Sequence, residues 1–310
     1  MFYCCRPSDK YVEGYWKHDR YYGAWKRDKY LFPIDSEEMN RLDIFHKFFL
    51  VARHNDLFSY EIPQIRSRRP RILDLGTGTG IWAINVAEEQ VENAEVLAVD
   101  INRIQPEFLP PNMKTLQFDI EEPSWTGLMT DCDLIHMRLM LGSIHNDAWK
   151  KVYRNALEHL TPGGYIEQVE IDWIPGWEGT DIPDQSALLH WAEQFLHGMD
   201  GFQRSVRIST RGARQMMESV GFTDFKEQRI RCYVNPWSDN DYEKDVAQWF
   251  NLGFIDGLEA MSLVPLVEKL GRTREEVTAL AERVKIECCK LRYHAYCTIH
   301  IWTARRPLRS

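Results

Sequence analysis

One short stretch constrains this chain more than its bulk does: an apolar strand that ends on an aspartate and runs straight into three glycines. Pro70-Arg-Ile-Leu73 leads into Asp74-Leu-Gly-Thr-Gly-Thr-Gly80, and Ile81-Trp-Ala-Ile-Asn-Val-Ala87 follows. A strand, a glycine turn and an apolar helix in that order open a parallel α/β sheet, where the turn presents its backbone to a nucleotide-like ligand. Gly76, Gly78 and Gly80 free φ and remove side chains that would block that ligand.

A dinucleotide site sets a pyrophosphate on the helix N-terminus and spaces its glycines G-x-G-x-x-G. Here the third glycine comes one residue early and Ile81 stands next. Asp74 also sits poorly beside a phosphate, whereas a ligand carrying an ammonium and a sulfonium suits a carboxylate at the turn. S-adenosylmethionine is such a ligand. The site is therefore read as an S-adenosylmethionine site, ahead of a dinucleotide site and of a turn that binds nothing.

The alternation of strands and helices continues along the chain. Strands are expected at 71–75, 95–100, 114–119, 132–137 and 165–172, with helices at 80–89 and 147–160 between them; that order argues a parallel sheet with helices on both faces. Residues 1–35 carry eight tyrosines, tryptophans and phenylalanines from Tyr11 to Phe32. This segment is too aromatic for a disordered tail and is expected to pack over something. Asp35-Ser-Glu-Glu38 has the form of a capping box for a helix reaching about His54. Residues 1–60 are thus read as a lid segment and helix, and 61–310 as one domain. Beyond residue 173, helices are expected at 186–196, 210–220, 241–257, 263–270 and 275–291. Thr273-Arg-Glu-Glu276 caps the last of these, and strands are expected at 225–233 and 294–304. The stretch 234–291 reads as a helical insertion before the last strand.

Composition excludes several classes. The charge is 38 − 46 = −8, which argues against a generic nucleic-acid binder. The arginine clusters at 66–71 and 305–309 read as solvated loop and tail charge. No run of about 18 apolar residues suggests a membrane span. The odd set of seven cysteines has no C-x-x-C spacing, which points to reduced thiols in a cytoplasmic or nuclear protein and to no metal site.

In such a sheet ligands meet the carboxyl ends of the strands. Asp100 ends the second strand, twenty residues past Gly80, and its carboxylate can accept hydrogen bonds from ribose hydroxyls. Asp119, with Ile120 behind it, ends the third and can take an adenine amino group. His136, Met137 and Arg138 end the fourth, where a transferable methyl group would point.

These residues carry a family resemblance. Asp74-Leu-Gly-Thr-Gly-Thr-Gly-Ile-Trp-Ala83, Asp100, Asp119, Asp133-Leu-Ile-His-Met-Arg138 and Leu160-Thr-Pro-Gly-Gly164 resemble the ordered motifs of class I S-adenosylmethionine-dependent methyltransferases. Leu31-Phe-Pro33 and Arg41-Leu-Asp-Ile-Phe-His46 narrow the resemblance to fungal LaeA-like methyltransferases, over about residues 14–172. The resemblance implies a Rossmann-like, seven-stranded sheet with the last strand antiparallel. It implies a cofactor site of Asp74, Gly76, Thr77, Gly78, Gly80, Asp100, Ile101, Asp119, Ile120, Met137 and Arg138, with Tyr22 and His46 closing over it. It also implies a role in secondary metabolism or its regulation, in some members together with velvet-family proteins.

Methyl transfer is an in-line displacement that needs an aligned nucleophile and, for a hydroxyl or amine, a route for its proton. His145 and Glu170 are the candidate bases, with His190, His197 and Asp172 behind them. Trp173, Trp177, Trp191, Trp237, Trp249 and Phe250 are expected to wall an acceptor pocket. The acceptor, a small molecule or a protein, is left open, as is a regulatory protein that binds the cofactor and works by complex formation.

Overall fold

The computed structural model describes residues 12–60, 68–90, 93–179 and 182–308. The aromatic N-terminal segment forms a hairpin of β1 (Gly14–Lys17) and β2 (Arg20–Gly23). His18 and Asp19 both lie in the left-handed region at its tip, as a two-residue turn that matches strand twist requires. Helix α1 (Ser36–Ala52) follows. Asp35 caps it by accepting from the Glu38 N–H. The Glu38 carboxylate does not return to the cap as a capping box would; it pairs with Arg41 at 2.6 Å inside the protein.

The sheet begins with β3 (Arg71–Leu75), and the glycine turn carries it into a short α2 (Ile81–Asn85) that ends in a π turn. β4 (Glu95–Asp100), β5 (Met113–Gln117) and β6 (Cys132–Arg138) come next, then α3 (Trp149–His159) and β7 (Leu160–Trp177). β7 starts five residues earlier than expected, because the Thr161–Gly164 stretch belongs to the strand. A Cβ on Gly164 would stand 2.7 Å from the Cys132 carbonyl oxygen, so glycine lets the strand lie against β6 there. Helices α4 (Ala187–Asp200) and α5 (Thr210–Val220) lead to β8 (Thr223–Tyr233). Helices α6 (Asp241–Val264) and α7 (Arg274–Cys288) precede β9 (Ala295–Arg305). The predicted Thr273–Glu276 capping box forms in full at the start of α7.

Seven strands lie in the order β5-β4-β3-β6-β7-β9-β8. The pairs among β3, β4, β5, β6 and β7 are parallel, and β9 runs antiparallel to both of its neighbours. The strand order reverses direction between β3 and β6. That switch point opens a crevice at the carboxyl ends of the strands, directly over the glycine turn.

The main correction to the sequence reading concerns α6, expected to break at Gly257. It runs unbroken through that residue, because its glycines serve packing rather than termination. A Cβ on Gly253 would meet the Phe45 ring at 2.5 Å, and one on Gly257 the Arg41 Cδ at 2.4 Å. The two glycines sit one turn apart, so α1 can lie close along α6. With the π turn after it, α6 is also long and apolar enough to cross a membrane. Two-thirds (67%) of its 18-residue apolar stretch is buried inside the fold, and its inner face joins the core with α1, α4 and α7.

Candidate functional site

Gly76, Gly78 and Gly80 hold φ values of 71°, 58° and 83°, a region that side chains bearing a Cβ enter at a cost. Gly76 has a second constraint: a Cβ there would stand 2.2 Å from Met140 Sδ. The Gly78 N–H donates to Asp100 Oδ2 at 2.8 Å, and the Asn102 N–H to Oδ1 at 2.8 Å. Asp100 is thereby fixed at the end of β4. Burial pushes its carboxyl up to about 6 against the pull of these N–H groups, and neighbouring Asp74 adds to the rise.

Asp74 and His136 are register partners on β3 and β6. His136 Nδ1 lies 2.8 Å from Asp74 Oδ1, and its ring stacks flat on Trp82 at 3.7 Å. Burial pulls His136 below its ordinary pKa although the Asp74 contact works the other way. A neutral imidazole donates Nδ1–H to the carboxylate, which leaves Asp74 Oδ2 without a partner in the cavity wall. Thr77 Oγ1 is likewise buried and unpartnered. A buried polar atom with no partner is costly, so both read as places reserved for a ligand.

Arg138 brings the opposite charge to the same cavity. Its guanidinium lies over the Phe49 ring and 3.3 Å from His46 Nδ1. Burial lowers Arg138 to about 10, with Asp74 opposing the shift. Burial and then Arg138 take His46 down to about 2, so His46 is neutral and accepts from the arginine. An arginine cation and an unsatisfied carboxylate oxygen thus line one cavity, a pair complementary to an amino-acid zwitterion.

At the far edge of the glycine turn, Asp119 does not stand open. Lys29 from the lid segment reaches it at 2.5 Å and also holds Glu121 at 2.8 Å. Glu121 further accepts from Arg204 at 2.8 Å and from the His145 N–H at 2.6 Å. Burial alone would raise Glu121, but these donors outweigh it and bring the carboxyl down to about 2. The hairpin is tied at its other end as well: Lys17 and His18 meet Glu268, and Arg274 meets Asp19. The lid segment therefore spans from the end of β5 to the helices before β9.

One cavity gathers these residues. Of the expected cofactor residues, Asp74, Gly76, Thr77, Gly78, Asp100, Ile101, Asp119, Ile120 and Arg138 line it. Gly80, Met137, Tyr22 and His46 stand behind the wall. Met137 on β6 is buried in the core, Tyr22 is buried against Tyr15, and His46 lies 3.3 Å from the cavity-lining Arg138.

The two candidate bases part company. Glu170, on β7, is 1% exposed and lines the cavity. His145 is not in the cavity wall; it caps a short turn by accepting from the Asp147 N–H and lies at the surface. The β6–α3 loop turns its side chain outward while its N–H serves Glu121. His190 and His197 are on the exposed face of α4, and Asp172 accepts from the Ile174 N–H.

Of the aromatics expected around an acceptor, Trp173 lines the cavity. Trp191 stacks on Phe195 and Phe250 on Phe254 within the core. Phe45, Phe195, Val206 and Met261 complete the wall, all at least nine-tenths buried. These residues come from α1, α4, the loop after α4 and α6. Sequence reasoning missed them, and also missed Lys29, His136 as a partner of Asp74, and Glu121. Only the fourfold spacing of Phe45 from Arg41 could have flagged any of them as one helical face.

A methyltransferase-domain family model matches residues 45–227. A relative from Fusarium oxysporum f. sp. lycopersici, named secondary metabolism regulator laeA, is 58% identical over 296 residues, covering 95% of this chain and 93% of its own. The secondary metabolism regulator LAE1 of Gibberella fujikuroi is 58% identical over the same shares. Among solved structures, the cyclopropane synthase MmaA2 from Mycobacterium tuberculosis superposes with a TM-score of 0.46 at 13% identity, over 90% of this chain and 94% of that one.

Proposed function

We propose that this chain, which belongs to the LaeA/LAE1 family of secondary metabolism regulators and carries their methyltransferase domain, turns over S-adenosylmethionine on an acceptor enclosed within the fold. The observation that carries this reading is the continuity of one cavity from the glycine turn and Asp100 to the buried carboxyl of Glu170.

The residues present fit the cofactor. The glycine cradle accepts close approach, Asp74 Oδ2 is free for the ammonium, and Arg138 faces the carboxylate. Asp100 is placed for the ribose hydroxyls. Asp119, with the Ile120 N–H behind it, takes the adenine edge once Lys29 shares or yields its contact. When bound, the cofactor supplies an electrophilic methyl group on a sulfonium. The chain's own part is to bind, to orient and to exclude water. Trp173, Phe195, Val206 and Met261 keep the acceptor end dry, and Glu170 is the group in that wall able to hold or remove a proton. A wall this closed admits a small molecule or one side chain of a protein, methylated on O or N. Such a role fits a cytoplasmic or nuclear protein, and velvet-family proteins are natural partners to test.

Calorimetric titration with S-adenosylmethionine tests the reading first. Binding by the wild type, weakened about 10- to 100-fold in Asp100→Ala, is expected from the loss of hydrogen bonds to a charged group. No binding by the folded wild type would sink the proposal. Binding with no transfer to small-molecule, peptide or velvet-protein acceptors would instead favour a regulator that works by complex formation.

A further inference from the structure

Glu170 is held in an unusual way for a buried acid. The N–H groups of Met140 and Leu141 reach its Oε1 at 3.1 and 3.2 Å, and the Gln168 amide reaches the same oxygen at 2.9 Å. Three neutral donors fix the carboxyl in place without neutralising it. Among the described residues it has no ion pair. Of the arginines in the cavity wall, Arg41 is committed to Glu38 at 2.6 Å, and Arg138 rests on Phe49 and His46.

The surroundings are apolar and aromatic. Phe45 and Phe195 are 1% exposed, Val206 3%, and Trp173 and Met261 6%. A carboxylate taken out of water calls for a cation beside it. Aromatic faces attract a cation as well and repel an anion. Burial raises Glu170 to about 7 in the absence of such a cation, while its three donors pull the other way.

From this juxtaposition we infer that the acceptor is an amine borne on a compact apolar or aromatic skeleton, with its ammonium seated on Glu170 against Trp173, Phe45 and Phe195. The inference rests on the methyltransferase reading and names its substrate class. An alcohol would satisfy Glu170 with one neutral hydrogen bond and leave the charge uncompensated. A carboxylic acid or phenolate would bring a second negative charge into the same dry space.

The chemistry balances. Glu170 accepts one proton from the ammonium and frees the nitrogen lone pair. The nitrogen then forms a bond to the methyl carbon as the carbon–sulfur bond breaks, and that electron pair stays on sulfur as a neutral thioether. The product is a methylated ammonium, and the proton on Glu170 passes to solvent on release.

Three probes with one skeleton test this without relying on turnover: naphthalen-1-ylmethylamine, the matching alcohol and the matching carboxylic acid. Each is titrated into the protein loaded with S-adenosylhomocysteine, and binding is followed by ligand-observed NMR. The amine is expected to bind at least 10-fold more tightly than the other two. In Glu170→Gln that preference is expected to vanish, with the affinity for S-adenosylhomocysteine unchanged within twofold, which also shows that the variant folds. Equal or tighter binding of the alcohol or acid, or no binding of the amine to loaded protein, overturns the inference. So does a Glu170→Gln variant that loses affinity for S-adenosylmethionine but not for S-adenosylhomocysteine, because the carboxylate would then serve the sulfonium. Failure to bind either cofactor form would count against the methyltransferase reading instead, and is read in the loading step.

Discussion

Around the glycine turn, the cavity wall comes from strand ends β3, β4 and β6 and is dense with polar atoms: Asp74, Thr77, the Gly78 N–H, Asp100 and Arg138. Around Glu170, the wall comes from α1, α4, α6, β7 and the loop after α4, and it is mostly apolar, with Glu170 and the Glu38-paired Arg41 as its charged groups. The first half is shaped by backbone. Its glycines, its strand register and its N–H groups fix the polar atoms before any ligand arrives. The second half is shaped by side-chain packing between helices that meet only in the finished fold. The contrast implies that substitutions near the turn should alter cofactor affinity. Substitutions in the helical wall should alter stability and acceptor choice while the cofactor still binds.

The sharpest way to break the comparison is Gly76→Val. A left-handed φ of 71° and the Met140 sulfur 2.2 Å from the new Cβ both oppose it. Strain and crowding of about 3 kcal/mol correspond to a roughly 100-fold loss of S-adenosylmethionine affinity by calorimetry. An affinity within threefold of the wild type would show that the turn does not touch the cofactor.

A pH series is the next test. Burial pushes the Asp100 carboxyl up to about 6 in the ligand-free protein, and ribose hydroxyls donate to its ionised form. Its carboxyl is raised above the unfolded value, so the bare protein is destabilised by ionising it as the pH rises through 6. Ligand binding works in the opposite sense: affinity should be full above about pH 7 and fall about tenfold per unit below 6. Burial sets that midpoint, with the Asn102, Gly78 and Ile101 N–H groups pulling it down and Asp74 raising it. Asp100→Asn should flatten the curve; a curve unchanged in that variant would assign the titration elsewhere.

The smallest expected effect comes from the helical half. Gly253→Ala forces Phe45 and Ile44 to move and should cost about 1–3 kcal/mol of stability, read in a urea titration. Its S-adenosylmethionine affinity should stay within about threefold of the wild type. A loss of affinity as large as that of Asp100→Ala would dissolve the distinction between the two halves.

The same contrast explains what could be read from the chain alone. The turn, Asp100 and Asp119 are legible because each ends or closely follows a strand that its own neighbours specify, and a strand end in a parallel sheet has one place to go. The N-cap at Asp35 and the capping box at Thr273 are legible for the same local reason. Asp119, expected to end a strand at 114–119, follows two residues after β5 and lines the cavity, yet its partner Lys29 lies 90 residues away, and nothing near either residue announces the pair. His145 misled because a histidine after a strand end looks like a base until the loop shows which way it turns. Phe195, Val206 and Met261 are ordinary core residues in sequence and become a wall only through the meeting of helices. Gly257 read as a stop because a glycine between two apolar runs has the same local signature whether it ends a helix or lets another pass close by.

That last glycine and its neighbour one turn back carry a wider consequence. Phe45 and Arg41 hang into the cavity from α1, and the height at which they hang is set by the missing methyl groups of Gly253 and Gly257 on α6, against which the same two side chains pack. The headroom over an acceptor is therefore gauged by two residues that never see it. Relatives that differ at the visible wall would change the furniture of the room, whereas a single carbon added at this seam would lower the ceiling.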